Sequence, residues 1–66
     1  MRVTDVFIGR LRRAEKTAAE YAGEVGMSAF RLSRLLNDAV AMSVDDHWKV
    51  LAIGKALGLR PGQCVR

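Results

Sequence analysis

Apolar residues recur at three- and four-residue spacing along most of the chain, and no stretch alternates apolar and polar positions long enough to form a strand. The pattern predicts helices joined by short connections. A first helix runs from about Asp5 to Glu15, with Val3, Phe7, Leu11 and Ala14 along one face. Thr4 stands before it as N-cap, and Asp5 suits the positive end of the helix. Arg10, Arg12 and Arg13 fall off the apolar face. A second, short helix follows Thr17-Ala18-Ala19-Glu20, a capping-box sequence in which a hydroxyl and a carboxylate exchange hydrogen bonds with the first turn. Tyr21, Ala22 and Val25 form its buried stripe. Gly26 follows where a left-handed residue ends a helix.

Only Met27 separates Gly26 from Ser28, which caps a third helix ending near Asn37. At 100° per residue, Ala29, Leu32, Leu35 and Leu36 gather on one side and Phe30, Ser33, Arg34 and Asn37 on the other. A loop from about Asp38 to Met42 leads to Ser43-Val44-Asp45-Asp46, another cap signature; Asp45 and Asp46 suit the first turn of a helix. The fourth helix runs to about Leu57 and stops at Gly58. Val50, Ile53, Gly54 and Leu57 share one side, and Val44, Trp48 and Leu51 share nearly the opposite side. One side can face the core, which leaves the other for a partner or for the chain's own tail. Pro61 suits the first turn of a last, truncated helical piece.

Composition narrows the function classes. At 66 residues there is room for one domain and none for a deep substrate pocket. Half the residues are hydrophobic, which suits a small helical core and is too apolar for a disordered tail. The lone Cys64 excludes an intramolecular disulfide and a cysteine metal cluster, and reads as a small tail hydrophobe. The lone His47 excludes a two-histidine metal site. No nucleophile–base pair, metal set or phosphate-cradling glycine loop is present, so neither an enzyme nor a cofactor is expected. The longest apolar runs are four residues, Ala39 to Met42 and Val50 to Ile53, far too short for a membrane span or a signal peptide. A reducing, cytoplasmic setting is the expectation.

Eleven basic residues against seven acidic give a net charge of +4, and Arg outnumbers Lys. That balance suits an anionic partner without naming one. The outward row of the third helix is more specific. Arg can bind guanine in a bidentate way, Asn can bind adenine, Ser can bind several bases, and Phe can touch a thymine methyl. Plainer roles stand beside these: Arg34 as a solvated charge, Phe30 as an edge of the core, and the Arg10, Arg12 and Arg13 cluster as a solvated face. Trp48 is either a core anchor or part of a dimer interface, and Val44 and Leu51 go with it.

Residues 17–37 resemble the helix-turn-helix of the Cro and lambda-repressor-like superfamily. Ala22 matches the small residue of the second helix, Gly26 the turn glycine, and Leu32 and Leu35 the two apolar positions that close the unit. Ser43 through Leu59, with Val50-Leu51-Ala52-Ile53-Gly54-Lys55-Ala56-Leu57-Gly58-Leu59, is similar to the family's fourth helix, and the Ser-Arg-Leu-Leu-Asn run, followed by a loop and Met-Ser, resembles its antitoxin branch. Matched segments cover about residues 7–65. Ala18 and Ala29 stand where a Gln often opens the second and third helices, and Glu15 and Lys16 where many members have a Gly and an apolar residue.

The resemblance implies an all-α, compact four- to five-helix domain that binds double-stranded DNA at an inverted repeat as a homodimer. By position it places Ser28, Ala29, Phe30, Ser33 and Arg34 at base edges. Thr17, Arg31 and Asn37 fall at phosphate, although the outward face of the third helix also offers Asn37 to bases. Val44, Trp48 and Leu51 are the candidate dimer interface. The function so implied is a transcriptional repressor, possible settings being a phage Cro-like switch, an anti-CRISPR-associated regulator or an antitoxin. The alternative is an antitoxin-type module that grips a partner toxin.

Overall fold

The chain folds as five helices in a computed structural model that describes residues 1–66: α1 (Asp5–Arg12), α2 (Ala18–Glu24), α3 (Ala29–Leu36), α4 (Val44–Ala56) and α5 (Pro61–Cys64). There is no strand, and the domain is all-α. The first four helices begin at the predicted caps. Thr4, Thr17, Ser28 and Ser43 each hold extended backbone and accept a hydrogen bond from the amide three residues on. The full capping box predicted for Thr17 and Glu20 is present, and Ser43 forms a second one with Asp46.

Helix α1 stops three residues short of the predicted end. The Ala14 amide turns back to the Leu11 carbonyl at 3.2 Å, a tighter closure than the α-helical one. The reason lies downstream. Thr17 must be extended to cap α2, so only residues 13–16 remain to reverse the chain. Ala14 still packs half-buried against the core.

Every helix contributes to one core. Phe7, Leu32, Val50, Ile53 and Cys64 are its most deeply buried large side chains, and Leu11, Tyr21, Ala22, Met27, Leu35, Leu57 and Leu59 complete it. Cys64, a small hydrophobe of the tail, is therefore part of the core. Helix α5 presses its sulfur against α4 so closely that a Cβ on Gly54 would lie 2.1 Å from Sγ. Gly54 thus permits the helix contact by having no side chain.

The two chain ends are paired. Arg2 and Arg66 exchange backbone hydrogen bonds at 2.8 and 2.9 Å around an antiparallel bridge between Val3 and Val65. The Thr4 hydroxyl, which caps α1, also donates to the Gln63 carbonyl. The tail therefore runs back beside α1 and packs on α4, and it leaves Val44 and Trp48 exposed. No helix is long and apolar enough to cross a membrane.

Candidate nucleic-acid interface

The turn between α2 and α3 follows from three local constraints. Gly26 takes φ of +75°, a left-handed conformation that a Cβ would strain. The Met27 amide then reaches back to the Ala22 carbonyl at 2.9 Å, and the Met27 side chain is buried. Ser28 is extended and caps α3 through its oxygen, which accepts from the Arg31 amide at 3.0 Å. Ala22 on α2 and Leu32 on α3 are both fully buried.

Helix α3 divides cleanly into two sides. Leu32 and Leu35 are buried, with Leu36 packed beside them. Ser28, Phe30, Ser33, Arg34 and Asn37 are all exposed, and so is Ala29, which its spacing puts with Leu32 but which lies in the first turn beyond the reach of the core. Phe30 is 70% exposed, so it is not an edge of the core. The Arg34 guanidinium lies over its ring, 5.2 Å from the centroid, and no carboxylate pairs with it. An exposed contact of this kind contributes about 0.5–1 kcal/mol, enough to bias the guanidinium toward the same outward face as the ring. Ser28 and Ser33 add hydroxyls to that face. The row is chemically able to meet base edges with a fork of N–H donors, two hydroxyls and an apolar ring.

The expected phosphate contacts fare differently, because folding engages all three side chains. The Arg31 guanidinium donates to the Asp46 carboxylate through Nε at 3.3 Å and Nη2 at 2.5 Å, and to the Ala41 carbonyl at 3.2 Å. Asp46 is buried and also accepts from the Ser43 amide at 2.9 Å. The Arg31 hydrogen bond, helped by the Ser43 donors, holds the Asp46 carboxyl down at about 2 against the burial that opposes ionisation. Arg31 therefore clamps α3 to the start of α4 and is not an open phosphate ligand.

Thr17 commits both its amide and its hydroxyl to Glu20 Oε1, each at 3.2 Å. A carboxylate thus stands at the start of α2. One amide hydrogen of Asn37 is spent on the Ser33 carbonyl, 2.8 Å away, so Asn37 serves first to finish α3.

Folding also gathers residues that the sequence keeps apart. An open cavity of about 440 Å³ is lined by Ile8, Leu11, Arg12, Thr17, Leu36 and Asn37 among others. Arg12, which the helical pattern leaves on a solvated face, thus joins Thr17 and Asn37 beside the two ends of the α2–α3 unit. It has no carboxylate partner. Its neighbour Arg10 instead donates to the Leu57 carbonyl at 2.9 Å and caps the end of α4. Spacing could not separate the two, since both lie off the apolar face of α1.

Asp46 is the residue whose importance the sequence conceals. The Ser43–Asp46 cap signature locates it, but its second partner, Arg31, is fifteen residues away. Lys49 adds a further tie from α4, to the Gly26 carbonyl at 3.2 Å. The turn and the start of α3 are thus held by charged side chains of one neighbouring helix.

On the far side of α4, Val44 is 75% and Trp48 65% exposed, and Leu51 is half-buried. Trp48 is not a core anchor. His47 stacks on it, ring centroids 5.7 Å apart.

Comparisons with family models, with curated proteins and with solved structures find no match to this chain.

Proposed function

We propose that the protein is a sequence-specific DNA-binding transcriptional repressor that acts as a dimer on a palindromic operator. Autoregulation of its own operon, in the manner of a phage Cro-like or anti-CRISPR-associated regulator, fits its size. One observation carries the reading: the outward side of α3 presents Phe30, Ser33 and Arg34 together, while the inward side locks into the core. The helix-turn-helix resemblance of residues 17–37 gives that row its expected place in the major groove. The Arg31–Asp46 clamp supports it too, since base readout needs a helix held in one orientation. In this mechanism Arg34 reads guanine, Phe30 packs on a thymine methyl, and Ser28 and Ser33 donate to bases or nearby phosphate. Arg12, which lines one cavity with Thr17 and Asn37 and has no carboxylate partner, is the cation left for the phosphate backbone. Repression is steric, by occupation of the operator.

The second reading is an antitoxin-type module that neutralises a partner toxin. Exposed Val44 and Trp48 favour it, because large apolar side chains of this kind mark protein contacts.

The test is a titration of the purified protein against duplex DNA from upstream of its own gene, beside a scrambled duplex, at several salt concentrations. Preference for the upstream duplex, with affinity falling as salt rises, is the expected result. Equal, weak binding to both removes autoregulation and favours the toxin-binding reading.

A further inference from the structure

The outer side of α4 is organised as a stripe. At 100° per residue, Val44, Trp48, Leu51 and Lys55 fall within an arc of about 60°. Asp46, Val50 and Ile53, which face α3 and the core, lie roughly opposite. Beside the stripe, Trp48, Leu51, Ala52, Lys55, Leu59 and Pro61 line an open groove of about 390 Å³. The chain's own tail does not fill it, because α5 turns Cys64 inward onto Gly54 and pairs with the amino terminus.

We infer that this stripe receives a second copy of the same chain, with the two α4 helices antiparallel across a two-fold axis near Lys49 and Val50. The register follows from the stripe's own symmetry. Trp48 meets Leu51 of the second copy, and Val44 meets the aliphatic stem of its Lys55. Charge selects the direction. Asp45, whose side chain is 74% exposed, flanks the amino end of the stripe, and Lys55 lies at the carboxyl end. Antiparallel packing sets each against its opposite, twice; parallel packing sets like against like. Asp45 already contacts Lys49 at 2.8 Å, but its own carboxylate stays largely in solvent, where such a contact is weak, while Lys49 is only 29% exposed.

An isologous contact of this kind closes at two copies. It also leaves α3 unobstructed, since α4 turns its opposite side toward α3. Trp48 is the anchor that each copy inserts toward the groove of the other. The inference deepens the dimer half of the proposed function and rests on it.

The test needs no DNA. Sedimentation equilibrium on the whole chain is followed together with tryptophan emission, which reports Trp48 alone because it is the only Trp. The expected result is a dimer whose formation shifts Trp48 emission to the blue. Trp48→Ala then raises the dissociation constant about thirtyfold, with an unchanged helical circular dichroism spectrum. Asp45→Lys and Lys55→Asp each weaken self-association alone, and mixing the two restores it, because the mixed pair regains both opposite-charge contacts.

A chain that stays monomeric up to about 0.1 mM overturns the inference. So does a dimer indifferent to Trp48→Ala, or a mixture no tighter than its components. Should the chain be monomeric yet prefer its upstream duplex, this inference and the dimer half of the proposed function fall, and the DNA reading stands. Should it dimerise as described yet prefer no duplex, only the DNA reading falls.

Discussion

Helices α3 and α4 bury comparable apolar faces yet present opposite chemistry to solvent. Outside, α3 shows Phe30, Ser33, Arg34 and Asn37, a mixed row in which the one ring carries a cation. Outside, α4 shows Val44 and Trp48 beside half-buried Leu51, an apolar row with charge at its two ends. A row of donors around one ring suits a polar, patterned surface such as a nucleic-acid groove. An apolar row with separated end charges suits another protein surface, above all a copy of itself. The two rows lie on different sides of a small domain, so the proposed self-association on one side would not obstruct the proposed base reading on the other. What joins them is Asp46, which caps α4 and grips Arg31 of α3.

The comparison breaks most readily on the inward sides. Leu32→Ala empties a fully buried position in α3 and should cost about 3–4 kcal/mol of stability in urea denaturation. Ile53→Ala in α4 should cost a similar amount. A loss under about 1 kcal/mol at either site would mean that its inward side does not pack as described.

Next in size is the contact behind α4. Gly54→Ala brings a methyl against the Cys64 sulfur and should cost about 2–3 kcal/mol. Adding Cys64→Ala should return part of that loss, because the sulfur is the atom in the way. Additive effects of the two changes would deny the contact.

The joint between the helices sharpens the comparison. Asp46→Asn should cost about 1–2 kcal/mol at neutral pH, after allowance for solvent screening of the half-exposed Arg31 partner. The native carboxyl titrates at about 2, below its ordinary 3.8. Its stabilisation is therefore whole above about pH 4 and disappears as pH falls toward 2. The gap between native and Asp46→Asn urea midpoints should close over that window. A constant gap down to pH 2.5 would show that the charge of Asp46 is not its source.

Smallest in stability are the outward rows. Arg34→Ala and Trp48→Ala should each change folding stability by under about 0.5 kcal/mol. Their effects should separate by function. Arg34→Ala should cost about 1–3 kcal/mol of binding on the preferred duplex and relax preference at one base. Unchanged affinity there would remove Arg34 from the readout.

Much of this architecture is legible in sequence because it is local. A hydroxyl three residues before an amide, a glycine after the last apolar residue and apolar spacing near 3.6 are settled within a few residues. They locate Thr4, Thr17, Ser28, Ser43, Gly26 and both sides of α3 and α4. The outward exposure of Phe30 and Trp48 was open, since periodicity places a side chain on a side without saying what covers that side. Only the tertiary arrangement leaves both uncovered.

Contacts between distant residues decided the rest. Arg10 and Arg12 look alike in sequence, but one caps α4 and the other borders Thr17 and Asn37. Arg31 looks like a surface cation until α4 brings Asp46 beside it. Cys64 reads only as a small hydrophobe near the end of the chain until α5 seats it against a glycine. Local pattern determined which residues are helical and which sides are apolar, because those depend on backbone geometry over a few residues. Tertiary structure decided which charges remain available to a partner, because that depends on which distant carboxylate or carbonyl has already claimed them.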